Sequence, residues 1–148
     1  MRICVDTTIL IDVLKDEFRP FQEKLYEALA HHEQLVSPSV VFGELMPQFK
    51  GDEKRVSEFL SDHKIAIEPL DTASVSCASR SWLKYLRRKE KIACPNCGQT
   101  LLPRVHFLSD FYIGGFASTR CDAILTRDRG IYRKYFSDVT GYAGCLFP

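Results

Sequence analysis

Apolar and polar positions along the chain alternate between two rhythms. Short apolar runs predict buried strands at Ile3-Cys4-Val5, Leu35-Val36, Ile65-Ala66-Ile67 and Ala123-Ile124-Leu125. Between them, apolar residues recur at helical spacing. Ile9, Leu10, Val13 and Leu14 form one set, Phe21, Leu25, Ala28 and Leu29 a second over Pro20 to His32, and Val56, Phe59 and Leu60 a third over Asp52 to His63. A further helix is predicted over Val40 to Phe49, capped by Ser39 and interrupted at Pro47. Asp71-Thr72 starts a long helix through about Lys91, and Gly130 to Phe136 makes a short one, with Val139 to Leu146 as an added edge strand. Strand and helix alternate throughout, which predicts an α/β fold with a parallel sheet.

Ser109 to Arg129 organises the rest. Ser109-Asp110 is a helix-start signal, an oxygen for the first turn and an acid on the positive end of the dipole. Gly114-Gly115 follows, and each Gly weakens a helix by about 1 kcal/mol relative to Ala. The pair therefore reads as close packing against a neighbouring backbone. Asp128 then lies just beyond the last buried strand, as Asp6 lies beyond the first. In open parallel α/β sheets the carboxyl edge of the strands is where ligands bind. Asp6 alone would serve equally well as a helix N-cap. Glu44, flanked by Val40, Val41, Phe42, Leu45 and Met46, either reaches the surface or faces a polar pocket; by itself it favours the surface.

Composition narrows the class. The chain has 148 residues, 45% hydrophobic and 26% charged, as an ordinary globule of one domain spanning 1–148 would. No apolar run approaches membrane-spanning length. MRICVDTT enters a strand-like run at once, which argues against a signal peptide and for a cytoplasmic location. There the six cysteines would be reduced thiols or metal ligands. Formal charge is lopsided, −6 over residues 1–74 and +7 over 75–148. Either a basic face adjoins an acidic centre or two solvated surfaces balance each other. The basic run near Arg80 to Lys91, with Trp82 and Tyr85 interleaved, suits a nucleic-acid backbone. Arg87, Arg88, Lys89, Arg127 and Arg129 are the candidate RNA contacts. The competing reading makes Trp82, Leu83 and Leu86 core, and Trp82 favours it.

Cys94-Pro95-Asn96-Cys97-Gly98 interrupts the pattern. Cys-x-x-Cys-Gly is the turn of a zinc knuckle, which sets two thiolates on one metal. His106 is the nearest third ligand, and Cys77, Cys121 or His63 could supply a fourth, making residues 94–106 a candidate zinc insertion. A redox pair or a plain turn with idle thiols are the alternatives. The His31-His32 pair closes a helix, where a solvated cation suits the dipole better than a metal would.

Asp6, Glu44, Asp110 and Asp128 all fall near one predicted sheet edge. Clustered carboxylates raise one another's pKa values, and a divalent cation relieves that. Hard oxygen donors indicate Mg²⁺ or Mn²⁺, and the chemistry expected is metal-assisted phosphodiester hydrolysis. Thr8 and Thr126 would orient the carboxylates or hold metal-bound water. Asp122, before its strand, reads as a cap or turn.

At these residues the chain resembles the PIN-domain proteins, close to the VapC-type toxin ribonucleases of bacterial and archaeal toxin–antitoxin pairs. The matching pieces are ICVDTTILIDVL, SPSVVFGEL, FLSDFYIGGFA and AILTRDRGIY, which span nearly the whole chain in the family's order. The resemblance implies a three-layer α/β/α fold with a central, mostly parallel sheet. It makes Asp6, Glu44, Asp110 and Asp128 the metal-binding catalytic set of an Mg²⁺- or Mn²⁺-dependent endoribonuclease. It also implies an RNA substrate, a homodimer and a small antitoxin partner. The CPNCG insertion departs from a minimal VapC-type chain and matches a PIN subgroup carrying CPxCG before the third acid. Two readings compete: a catalytically silent PIN scaffold, which typically lacks one or more of the acids, and a haloacid-dehalogenase-like phosphatase. The phosphatase needs a second acid two residues after Asp6, where Thr8 stands.

Overall fold

The computed structural model describes residues 1–88, 92–101 and 108–142. Among these, strands β1 (Arg2–Val5), β2 (Gln34–Pro38), β3 (Ile65–Glu68) and β6 (Ala123–Leu125) form one sheet in the order β3-β2-β1-β6. Every neighbouring pair in it is parallel, with Cys4 level with Val36 on one side and Ile124 on the other. β1 and β2 are central, and their apolar residues are buried. A strand covered on both faces needs the continuous apolar run that the sequence shows.

Helices fill the connections. α1 (Thr7–Lys15) and α2 (Arg19–Ala30) join β1 to β2. α3 (Ser39–Leu45), a 3-10 turn at Met46–Phe49 and α4 (Glu53–Asp62) join β2 to β3. α5 (Thr72–Arg88) and α6 (Leu108–Arg120) lead back to β6, and α7 (Arg129–Tyr135) follows it. Right-handed crossovers put α1 to α4 on one face of the sheet, and the return to β6 runs over the other. α6 packs on β1 and β2, and α5 packs on α6 in the most extensive helix–helix contact. Between α5 and α6 the short antiparallel strands β4 (Ile92–Ala93) and β5 (Thr100–Leu101) form a hairpin.

Several local expectations change in three dimensions. Ser39 is the first residue of α3, not its cap; Pro38 occupies the cap position at the end of β2, with no side-chain cap bond. α4 is capped by Asp52, which accepts from the Arg55 N–H. Asp71 does the same for α5, accepting from Ser74 N at 2.7 Å. Leu83 is exposed, so it is not core, whereas Tyr85 is buried. Tyr85 and Trp82 both pack on Phe111, with ring centroids 5.4 and 5.0 Å away, which spends Tyr85 inside the fold. Of the edge strand expected over Val139 to Leu146, the described part shows a parallel bridge from Ile124 to Gly141, and Ile124 N–H donates to Thr140 O at 2.8 Å. Residues 143–148 lie outside the described residues.

The two glycines of α6 are explained by what they touch. A Cβ on Gly115 would sit 2.3 Å from the Ser74 carbonyl oxygen and 2.8 Å from Ala78 N on α5. A Cβ on Gly114 would enter the buried Phe136 ring at 2.4 Å. α6 thus lies backbone-close against α5 on one side and takes an aromatic ring on the other. Gly115→Ala should therefore destabilise the fold by about 1–3 kcal/mol, because a helix backbone has to give way. Gly43→Ala on α3 is the matched control. A Cβ there meets nothing within 4 Å, so it should be neutral or stabilise by up to about 1 kcal/mol. Urea unfolding of both variants checks this; equal effects would refute the close-packing account.

Candidate active site

β1 delivers Asp6 to the carboxyl edge of the sheet beside the end of β6, where the chain order reverses direction across the sheet. Its N–H donates to Leu125 O at 3.0 Å, continuing the β1–β6 ladder by one residue. Asp6 occupies the N-cap position of α1 but its side chain makes no cap bond. Its Oδ2 instead accepts two hydroxyls, from Thr8 at 2.8 Å and Thr126 at 2.5 Å. Thr126 in turn accepts the Asp128 N–H at 3.0 Å. One hydroxyl therefore ties the first acid to the backbone of the last. Asp6 is 3% exposed. Burial pushes its carboxyl up to about 6, the two threonine bonds pull against that, and the charges of Asp110 and Glu44 add to the rise.

The other acids come from three further elements. Glu44, on α3, is half-buried and does not reach out to solvent; its Oε2 accepts the hydroxyl of Thr7. Asp110 sits in the first turn of α6, half-buried. Asp128 caps α7, its Oδ1 accepting from Gly130 N at 2.9 Å and Ile131 N at 3.4 Å. Under them lies the buried Tyr132 phenol. Burial holds it well above its ordinary range, and Asp6, Cys4, Asp110 and Asp128 push in the same direction. Asp6 thus feels Asp110 and Glu44, and Tyr132 feels Asp6, Asp110 and Asp128. Among the described residues, no three His, Cys, Asp or Glu side chains are gathered closely enough to hold a metal ion as they stand.

Two residues at this edge escaped the sequence reading. Thr7 was hidden within a run of three oxygen-bearing residues, each of which could have served as a cap. Asp12 carried a clearer signal, an acid three residues after Ile9 on the apolar side of α1. It is fully buried, and Arg127 Nε lies 3.4 Å from its Oδ2. Burial raises its pKa and Arg127 opposes the rise. Asp122 is structural, as expected: its Oδ2 accepts from Arg2 N at 2.7 Å and its N–H donates to Arg2 O.

The remaining candidates scatter. Arg87 is exposed at the end of α5, and Arg88 lies over the Tyr135 ring at 5.9 Å. Arg127 is turned to Asp12, while Lys89, His106 and the side chain of Arg129 lie outside the described residues. Cys94 and Cys97 occupy the β4–β5 turn, closed by Gly98 N–H to Cys94 O at 2.9 Å with Gly98 at φ +70°. The Cys94 thiol is held below its ordinary range by the N–H groups of Asn96 and Cys97 and by the Cys97 thiol. Two of the three proposed fourth ligands, His63 and Cys121, have other partners. His63 Nδ1 lies 2.7 Å from Phe59 O, and the Cys121 sulfur accepts from the Cys4 thiol.

Comparison with known proteins agrees with this fold. No curated protein sequence matches the chain. Among solved structures it is similar to a chain of the crystal structure of VapBC2 from Rickettsia felis bound to a DNA fragment from their promoter. The two share 13% identity and a TM-score of 0.66, with 95% of this chain and 96% of that chain covered. At that identity the likeness is one of fold. The PIN domain matches residues 3–137, from β1 to just past α7 and through all four acids, and the chain therefore belongs to the PIN-domain family.

Proposed function

We propose that the protein is a divalent-metal-dependent endoribonuclease and the toxin of a toxin–antitoxin pair. The observation that carries this reading is the burial of Asp6 at the carboxyl edge of the sheet under the charges of Asp110 and Glu44, with Asp6, Asp110 and Asp128 all acting on the buried Tyr132 phenol. A carboxyl raised to about 6, chiefly by burial and further by the charges of Asp110 and Glu44, marks a site short of positive charge. All the donors are hard oxygens, which fit Mg²⁺ or Mn²⁺. Asp6, Glu44, Asp110 and Asp128 would hold the ion, with Thr8 and Thr126 fixing the Asp6 carboxylate. When bound, such an ion acidifies a water and stabilises the leaving oxygen of a phosphodiester. Arg87 and Arg88 at the end of α5 supply cations for RNA phosphates. PIN-family membership supports the nuclease reading, and the structural likeness to a VapBC2 chain supports an antitoxin partner. A homodimer working in the cytoplasm completes the proposal; among the described residues no helix is long and apolar enough to cross a membrane. The retention of all four acids favours an enzyme over a silent scaffold. The phosphatase alternative finds a threonine hydroxyl committed to Asp6 where it needs an acid.

A structural zinc at the β4–β5 turn is a second proposal. It is favoured by the two backbone N–H groups directed at the Cys94 sulfur, since a thiolate so stabilised is a ready ligand. Metal analysis of protein purified without chelator should find zinc near one equivalent, lost in Cys94→Ser. Freely reactive thiols and no zinc would leave the hairpin as a turn only.

Two outcomes test the acidic site. Asp6 has a folded pKa above its unfolded value of 3.8, so its neutral form contributes stability that is present below pH 3.8 and lost as pH rises to about 6. Without metal, Asp6→Asn should therefore be more stable than wild type above pH 6, by about 1–3 kcal/mol, with the gap closing toward pH 4. Urea unfolding in chelator across that range measures it, and a gap independent of pH would refute the coupling.

Asp110→Asn keeps the shape of the α6 terminus and removes a charge. It should fold normally and lose Mn²⁺-dependent cleavage of single-stranded RNA by more than the roughly 10–100-fold that an outer-shell partner costs. Asp122→Asn, which touches only the Arg2 backbone, is the control and should retain cleavage. Retention in Asp110→Asn with loss in Asp122→Asn would displace the site; cleavage by wild type without any metal would end the metal-dependent reading.

A further inference from the structure

Arg127 presents a puzzle in electrostatics. It lies between Thr126 and Asp128, and its N–H is 3.4 Å from the Thr8 hydroxyl that donates to Asp6 at 2.8 Å. An arginine rooted there starts one hydroxyl away from the Asp6 carboxylate, whose negative charge, reinforced by Asp110 and Glu44, would draw a guanidinium in. It turns the other way. Its Nε pairs with Asp12 Oδ2 at 3.4 Å, and its guanidinium lies over the Phe18 ring at 4.0 Å.

The two partners are built for this hold. Asp12 is 0% exposed, and among the described residues neither of its carboxylate oxygens has a hydrogen-bond partner, so Arg127 is its charge neutraliser. A buried carboxylate left without its cation is strongly unfavourable, which ties the guanidinium to this place. Phe18 ends the tight turn between α1 and α2, where both Asp16 (φ 53°) and Phe18 (φ 48°) adopt the left-handed conformation. That backbone is uncommon for a bulky residue. It leaves the ring 51% exposed yet stacked against the guanidinium.

We infer that Asp12 and Phe18 park the Arg127 cation beside the acidic site and so keep that site open to a divalent metal. Released, the guanidinium falls onto the carboxylates and competes with the metal as an internal cation. Arg127 and Asp12 are thus positioning residues for the metal site, acting through charge placement. The effect exists only if the acid cluster binds a divalent cation, as proposed above.

The test is Mn²⁺ alone, titrated against chelator-stripped protein and read as the rise in melting temperature, with near-UV circular dichroism reporting the fold. Asp12→Asn keeps the side-chain shape and removes the charge that holds Arg127. It should weaken Mn²⁺ binding by about tenfold or more, as expected for a like charge brought within a few ångströms. Arg127→Gln should bind Mn²⁺ at least as well as wild type, and the double variant Asp12→Asn/Arg127→Gln should recover wild-type affinity. Phe18→Ala, at an exposed ring, removes the other half of the hold. It should weaken binding in the same direction, again reversed by Arg127→Gln, and it carries the test if Asp12→Asn fails to fold. A loss in Asp12→Asn or Phe18→Ala that Arg127→Gln does not reverse would overturn the parking and make the contacts merely structural. So would wild-type affinity in every variant that folds. A wild type that shows no Mn²⁺ shift at all would instead overturn the metal reading of the cluster.

Discussion

The hydroxyl of Thr126 on the Asp6 carboxylate is the contact on which the candidate site depends. It joins the ends of β1 and β6, neighbours in the sheet but 120 residues apart in sequence. The same hydroxyl accepts the Asp128 N–H, so the position of the last acid follows from the position of the first. A carboxyl placed 3% exposed at a sheet edge would ordinarily be a liability. Two threonine hydroxyls on one oxygen make it tolerable while leaving it titrating near 6, unusually high for an aspartate.

The surrounding architecture serves that contact. A parallel sheet whose order runs β3-β2-β1-β6 must bring the chain back from β3 over the opposite face before β6 can pair with β1. α5 and α6 make that return, and α6 presents Asp110 in its first turn. For α6 to lie on β1 and β2 while α5 lies on α6, the two helices approach until a single Cβ at Gly115 would collide with the Ser74 carbonyl. The glycines, unfavourable for the helix by itself, follow from the closeness of that approach. Phe136 uses the same economy of space on the other side, its ring set against Gly114.

Charge is arranged as carefully as packing. Asp6, Glu44, Asp110 and Asp128 come from separate elements, and Arg127, next to Asp128 in sequence, pairs with an acid buried within α1. Asp12 and Asp6 thus divide two tasks on one short stretch of chain: one faces the site, the other occupies the guanidinium. Of the cations of α5, Arg87 and Arg88 stand in its last turn, so that the lopsided charge of the two sequence halves becomes a basic helix end on a fold with an acidic edge.

The sequence by itself determined the order of strands and helices, because burial on both faces of a parallel strand demands unbroken apolar runs and one-sided burial of a helix demands its own period. It also pointed to the family, since DTT after β1, an acid within the apolar Val40–Met46 helix, an acid opening the Gly114-Gly115 helix and an acid after the Ala123–Thr126 run form an ordered set. Tertiary structure decided what single segments could not. Glu44 in isolation favours solvent, and only the neighbouring Thr7 hydroxyl and the nearby Asp6 make it part of a site. Tyr85 and Leu83 look interchangeable in an amphipathic run, yet the first is buried against Phe111 and the second faces out. Asp12 stands on the apolar side of α1 with nothing local to neutralise it, and its cation is Arg127, distant in sequence. In each case the deciding energy is a contact between residues far apart in the chain. Local propensity and spacing carry no record of such a partner, because its identity is fixed only when the sheet is assembled.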